Sequence, residues 1–435
     1  MERFALSRMK EWKENENRKP LIIRGARQVG KTWIMKTFGQ QYFEKTAYVN
    51  FDNNARMKQV FEGDLDIERL VLSISAETGV SIEAENTLII FDEVQEVPKA
   101  LTSLKYFHEN APQYAIVAAG SLLGVALHQG TSFPVGKVDF LDLYPLNFRE
   151  FLCAMGEKQF VSMLDSCDTQ MVTVFKTKYI ERLREYYFVG GMPEVVKDFS
   201  EKKDYNRVRV IQKNLINYYQ QDFSKHAEIK LVPRLNLVWN SIPMQLAKEN
   251  KKYIYGQVRE GSRAKDFELA IQWLLDCGLI HKVQRIQKPD LPLKAYIDFD
   301  AFKLFLVDIG LLIAMTDLDA KVIIEGNKIF TEFNGSLTEQ YILQQLISDV
   351  GVIPYYYSTQ NSKGEIDFLV QGKTSVIPIE VKAEENLKAK SLKAFCEKYQ
   401  PSYAVRTSMS DYREQDWMTN IPLYAIKWIE NYVNQ

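Results

Sequence analysis

Cysteine is scarce: four in 435 residues (Cys153, Cys167, Cys277 and Cys396), none in a CxxC pair. That excludes a disulfide framework and leads us to expect a reducing, cytoplasmic setting. Histidine is equally rare, and His108, His128, His226 and His281 fall at no metal-ligand spacing. Neither sign of charge is in excess: 55 Lys and Arg against 56 Asp and Glu give a net charge of −1. The chain as a whole is therefore no polybasic nucleic-acid binder, and any such surface is local. Long apolar runs are missing too. The longest uncharged one, Ala115–Leu127, has 13 residues, fewer than the roughly 20 that a membrane-spanning helix needs. Met1–Pro20 is charged throughout and lacks the apolar centre of a signal peptide. No association with a membrane is expected.

What is present is the composition of an ordinary globular protein, 46% hydrophobic and 26% charged, with length for about three domains. Short apolar runs recur along the first third: Leu21-Ile22-Ile23, Ala47–Phe51, Leu88–Phe91, Ala115–Ala119 and Val138–Leu141. Helix-like segments separate most of them, which predicts a parallel sheet covered on both faces. From Glu150 to about Phe223 the pattern turns helical and meets a stop at Gly190-Gly191-Met192-Pro193. From about Phe330 the order reads helix, three strands, helix, strand. The expected divisions are 1–150, 151–228, 229–325 and 326–435.

The sharpest motif is Gly25-Ala26-Arg27-Gln28-Val29-Gly30-Lys31-Thr32, a GxxxxGKT run between a predicted strand and a predicted helix. Such a loop wraps backbone N–H groups around phosphate oxygens at a helix N-terminus. Lys31 would neutralise the β- and γ-phosphates and the Thr32 hydroxyl would ligate Mg²⁺. About 60 residues on, Leu88-Ile89-Ile90-Phe91-Asp92-Glu93 is an apolar strand ending in two acids. Asp92 would hold the Mg²⁺ through water, and Glu93 would polarise the attacking water. Ala119-Gly120-Ser121 closes the next strand, where the Ser121 hydroxyl could meet the γ-phosphate or that water. Arg149 and Arg184 are read as solvated rather than as arginine fingers.

GARQVGKT, LIIFDE, AAGS and LDLYPLNFREFL (141–152) together resemble a family of bacterial and archaeal AAA-type ATPases, and the resemblance extends to Gly190–Pro193 and Leu306–Leu311. It implies ATP hydrolysis by Lys31, Thr32, Asp92 and Glu93, with Ser121 as sensor. It also implies a P-loop sheet of the additional-strand type, with the strand ending at Ser121 between the P-loop strand and the Asp92 strand. A helical lid, a winged-helix-like region and a C-terminal domain of poorly defined function would follow.

In the middle region, Arg263–Cys277 places Phe267, Ala270, Ile271, Leu274 and Leu275 on one helical face, and Leu279–Val283 and Ala295–Asp298 read as a hairpin beyond it. This is the winged-helix pattern. Lys248, Lys251, Lys252, Arg259, Arg263 and Lys265 stand against three acids between residues 248 and 266, a local basic excess that could contact DNA phosphates.

Toward the C-terminus, Gly364-Glu365-Ile366-Asp367 is followed by Ile379-Glu380-Val381-Lys382. Strand alternation would put Asp367, Glu380 and Lys382 on one side, with Glu339 on the preceding helix. Oxygen ligands of this kind suit Mg²⁺ or Mn²⁺. The D-x(12)-E-x-K spacing and the element order resemble the PD-(D/E)xK nuclease fold, with Gly364-Glu365-Ile366 standing where a proline is usual. The resemblance implies Asp367 and Glu380 as ligands of a second metal, Lys382 as catalytic lysine and Glu339 as an optional acid. Two outcomes stay open: DNA processing by this domain, or a non-cleaving module that binds DNA or a protein partner. ATP and Mg²⁺ are the expected ligands of the first domain, and the oligomeric state is open.

Overall fold

Strand β1 (Leu21–Arg24) buries Leu21, Ile22 and Ile23 completely or nearly so, and pairs in parallel with two neighbours. The structure, a computed structural model, describes residues 1–120, 124, 133–248, 251–324, 331–359, 364–383 and 389–435, the side chains of 331–334 apart. It divides into two units, one of residues 2–144 with 276–279, the other of 145–275 and 280–435 together with Met1.

In the first unit, helix α1 (Ala5–Glu14) precedes β1, then α2 (Lys31–Tyr42), β2 (Lys45–Asn50), α3 (Ala55–Glu62), α4 (Ile67–Thr78), β3 (Thr87–Asp92), α5 (Pro98–Asn110), β4 (Ala115–Ala119) and β5 (Asp139–Asp142). The strands form one sheet in the order β2-β3-β4-β1-β5, and every pairing is parallel. This is a P-loop sheet of the additional-strand type, with β4 between β1 and β3. Strands β3 and β4 are buried along their whole length. That is why their sequences are continuous apolar runs instead of alternating ones. Ile22, Ile89, Phe91 and Ile116 pack against Leu104 and Phe107 of α5. Phe51, Phe61 and Phe91 meet edge to face at 5.4–5.7 Å.

The second unit begins with helices: α6 (Phe148–Ala154), α7 (Lys158–Asp165), α8 (Thr169–Val174), α9 (Lys176–Val189), α10 (Pro193–Lys202), α11 (Tyr205–His226), α12 (Val232–Leu246) and, after a single turn at Tyr255–Val258, α13 (Ala264–Asp276). Strands β6 (Ile280–Ile286) and β7 (Ile297–Leu306) form an antiparallel hairpin, followed by α14 (Ile309–Met315) and α15 (Thr331–Gln345). Then come β8 (Tyr355–Ser358), β9 (Glu365–Gln371), β10 (Val376–Val381), α16 (Lys390–Tyr399), β11 (Val405–Ser408), β12 (Arg413–Gln415) and β13 (Met418–Pro422). The eight strands share one sheet in the order β12-β13-β11-β10-β9-β8-β6-β7. The hairpin therefore does not stand free as a wing. Arg285 and Ile286 of β6 pair with Tyr356 and Tyr357 of β8, covering what would otherwise be an open sheet edge.

Two motifs far apart in the chain meet in this unit. The Gly191 N–H donates to Asp308 Oδ2 at 2.6 Å, and the Leu311 N–H donates to Asp308 Oδ1 at 3.0 Å, capping α14. A Cβ at Gly190 would lie 2.2 Å from Asp308 Oδ1, and its φ of +73° lies where side chains are strained. Three glutamines of α15 serve the irregular backbone around them. Gln340 exchanges two hydrogen bonds with Leu306, Gln344 accepts from the Ile309 N–H, and Gln345 accepts from the Phe148 N–H. Gln340 and Gln344 thereby pair backbone groups of Leu306 and Ile309 where β7 turns into α14. Arg149, expected on a solvated face, is instead mostly buried. Its guanidinium grips Asp349, with Nη2 at 2.6 Å from Oδ1, and also pairs with Asp165. Arg184 donates to the Ile324 carbonyl at 3.4 Å.

Candidate functional site

The phosphate loop leaves β1 at Gly25 and enters α2 at Lys31. Gly25 has φ +146°, and a Cβ there would sit 2.1 Å from the Leu143 carbonyl oxygen. No other residue fits that turn. Ala26 and Val29 point inward and are buried, whereas Gln28 is exposed. Arg3 braces the loop: its guanidinium donates to the Val29 carbonyl at 2.9 Å and to the Tyr144 carbonyl at 2.6 Å. Gly30 caps α2, whose first amides have no partner within the helix and are free to meet an anion.

Lys31 is only 7% exposed. Its ammonium folds back on the loop and donates to the Gly25 and Ala26 carbonyls, each at 2.8 Å. Burial pushes its pKa down to about 8, against the pull of Glu93 and Asp92. The Thr32 hydroxyl donates to Asp92 Oδ2 at 2.7 Å. The structure thus brings the loop, the helix start and the end of β3 together, because β4 alone separates β1 from β3. Glu93 follows Asp92 in a left-handed conformation (φ +51°), and its Oε2 accepts from Gln95 at 2.7 Å. Ser121 lies outside the described residues.

Residues that sequence reasoning did not single out complete the site. The Tyr48 hydroxyl donates to Asp92 Oδ2 at 2.9 Å, and the Lys36 ammonium lies 3.7 Å from the Tyr48 ring centroid. Burial, and then the Asp92 charge, keep the Tyr48 phenol protonated and able to donate. The only signal in the sequence was an aromatic on the strand next to LIIFDE. The tetrapeptide Asp276–Leu279 also belongs to this unit, with Gly278 against the Ala26 amide. Nothing local in the sequence marks it.

Thr32 and Asp92 offer hard oxygen donors 2.7 Å apart, a pair that fits Mg²⁺. When bound with ATP, the ion would draw charge from the β- and γ-phosphate oxygens. Lys31 would exchange its two carbonyl acceptors for those oxygens. Glu93 would orient the attacking water and take up its proton, with Gln95 fixing the carboxylate.

At the C-terminal constellation, Asp367 on β9 accepts from the Val381 N–H at 2.7 Å. Glu380 on β10 pairs with Lys382 at 2.6 Å, and its Oε2 is buried without a hydrogen-bond partner. Glu339 on α15 pairs with Lys251 and lies 3.6 Å from Lys303. The expected residues are therefore neighbours. Burial, with Glu339 and Glu380 beside it, raises the Asp367 carboxyl far above the usual carboxylate range. Burial disfavours the charged form of Glu339, but Lys251 and Lys303 outweigh it and hold that carboxyl low. Among the described residues, no group of three or more His, Cys, Asp or Glu side chains is placed to hold a metal ion. A second metal at this domain is not shown.

Comparison with known proteins agrees with the geometry of the first unit. Residues 17–152 match the family model of an AAA domain. Residues 180–322 and 334–426 match two domains of unknown function, DUF8612 and DUF4143. No curated protein sequence matches the chain. Among solved structures, the Walker-type ATPase PABY2304 of Pyrococcus abyssi is 15% identical, with a TM-score of 0.44, over 72% of this chain and 95% of that one. The Aeropyrum pernix ORC1 protein, solved in complex with DNA, is 13% identical with a TM-score of 0.27, over 72% of this chain and 91% of that one. CDC6P from Pyrobaculum aerophilum is 9% identical with a TM-score of 0.26, over 74% and 93%. Among the described residues no helix is long and apolar enough to cross a membrane. The parallel β2-β3-β4-β1-β5 sheet, with its glycine loop beside Asp92, lies within the residues, 17–152, that are similar to the AAA domain family.

Proposed function

We propose that this chain hydrolyses ATP with Mg²⁺ and that its nucleotide state governs DNA binding through the region beyond residue 228. The observation that carries the hydrolytic part is the convergence of four groups on one end of the parallel sheet. Lys31 supplies a desolvated cation, Thr32 and Asp92 supply metal-ligand oxygens, and Glu93 supplies a base. A module that only bound nucleotide would need no base beside Asp92. The DNA part rests on the exposed Lys248, Arg259, Arg263 and Lys265 around the start of α13, cations suited to phosphate contacts. Lys251 is engaged with Glu339 and drops out of that set. The set carries no base-reading pattern, so the contact would be independent of sequence and would weaken steeply with salt.

The test is steady-state phosphate release with Mg²⁺, with and without double-stranded DNA, using Lys31→Ala as the blank. Turnover that DNA stimulates at low salt, and that Lys31→Ala abolishes, is the expected result. Turnover indifferent to DNA would remove the DNA part and favour a nucleotide-dependent regulator or scaffold acting on a protein partner. Turnover unchanged in Lys31→Ala would remove the ATPase assignment itself.

A further inference from the structure

The acid cluster of the second unit already contains its own cations. Lys303 lies on β7, outside the helix–strand–strand–strand–helix–strand core formed by α15, β8, β9, β10, α16 and β11. It is fully buried, and its ammonium pairs with Glu365 and lies 3.6 Å from Glu339 Oε2 and 4.8 Å from the Tyr356 ring centroid. Lys251, from the segment before the Tyr255–Val258 turn, pairs with Glu339 Oε1. Both oxygens of Glu339 thus face ammonium groups that the core itself does not supply.

The other acids are similarly engaged. Asp367 Oδ2 is taken by the Val381 N–H, and Glu380 Oε1 by Lys382. Glu380 Oε2 and Glu339 Oε2 are buried without a hydrogen-bond partner, the latter 3.6 Å from the Lys303 ammonium. A Mg²⁺ or Mn²⁺ ion needs about six oxygen ligands near 2.1 Å. It would have to displace two lysines from Glu339, one of them with no exposed surface. Four carboxyl groups (Glu339, Glu365, Asp367, Glu380) stand against three ammonium groups (Lys251, Lys303, Lys382). Adding a divalent cation while the lysines stay would leave an excess of positive charge among these mostly buried groups, at a high desolvation cost.

We infer that Lys303 and Lys251 take the place of a divalent cation, so that the C-terminal acids form a closed ion network and the domain engages its partner without metal-dependent phosphodiester hydrolysis. The inference deepens the proposed DNA coupling by making it binding without cleavage. It does not depend on the ATPase reading, because none of its residues belongs to the phosphate site.

The test titrates Mn²⁺ into the full-length, nucleotide-free chain and follows the free ion by electron paramagnetic resonance. Wild type and Asp367→Asn are expected to give the same titration, with no site occupied below about 1 mM. The Lys251→Met/Lys303→Met double variant is expected to gain one Mn²⁺ site, and adding Asp367→Asn to it should remove that site. Two results would overturn the inference. One is a Mn²⁺ site in wild type that Asp367→Asn abolishes. The other is a folded double variant, verified by circular dichroism, that gains no site. If the double variant does not fold, the comparison of wild type with Asp367→Asn still decides, because it leaves both lysines in place.

Discussion

Replacing Lys31 by methionine should separate the stability of the phosphate site from its function. Methionine keeps the length of the side chain and removes its charge. In the folded protein, burial lowers the Lys31 pKa from 10.5 to about 8. A drop of that size corresponds to about 3 kcal/mol of strain on the charged form. At pH 7 the ammonium is protonated in both folded and unfolded chains, so the whole of that cost is present. The hydrogen bonds to the Gly25 and Ala26 carbonyls offset about 2 kcal/mol of it. Lys31→Met is therefore expected to be slightly more stable than wild type without nucleotide, by about 1 kcal/mol. The sign also sets the pH behaviour. Because the folded pKa is depressed, the unfolded chain binds more protons between about pH 8 and 10.5. Wild-type stability should gain a rising component there that the variant lacks. Turnover should move the other way and fall on the order of a hundredfold or more, because the cation at the transferred phosphate is gone. Urea unfolding at pH 7 and pH 9.5, paired with phosphate release at saturating Mg²⁺ and ATP, reads both effects. A variant that loses more than about 2 kcal/mol would show that the buried ammonium is a net stabiliser and that the loop is not poised for an anion.

Glu93→Gln should keep nucleotide affinity, measured with a fluorescent ATP analogue, while turnover drops about a hundredfold; an unchanged rate would mean another group positions the water. Asp308 is fully buried, and burial raises its carboxyl to about 6 despite the N–H donors from Gly191 and Leu311. The folded state then holds this proton more tightly than the unfolded state, so its contribution to stability falls as pH rises from about 4 to 6, by about 3 kcal/mol. Asp308→Asn cannot titrate, so the stability difference between the two proteins should change by that amount between pH 4 and pH 6.5. A difference that stays constant across this window would refute the assignment.

The first unit was legible because its signals are local. Strands buried on both faces must be apolar along their length, and LIIFD and AIVAA say so without reference to anything else. The glycine loop is equally self-describing, since the turn at Gly25 tolerates no Cβ and the lysine and threonine follow at fixed offsets. What joins these pieces is pairing order, and in that the resemblance to AAA-type ATPases supplied the placement of β4 between β1 and β3.

The second unit was less legible because its decisive contacts are long-range. GGMP reads as a stop signal and LVDIG as a helix start; only the fold shows that Asp308 holds both, 117 residues from Gly191. Three glutamines on α15 look like a polar face, yet all are buried and serve backbone groups of distant segments. Arg149 looked solvated because its partner Asp349 lies 200 residues away. The spacing of Asp367, Glu380 and Lys382 was readable from strand alternation alone. That Lys251 and Lys303 neutralise Glu339 was not, because Lys303 reaches the cluster from a hairpin that pairs with the sheet edge instead of standing as a wing. The sequence alone determined which residues could meet phosphate and which could bear charge together. Tertiary structure decided which of those charges were already compensated, because compensation depends on side chains that the chain brings in from dozens to hundreds of residues away.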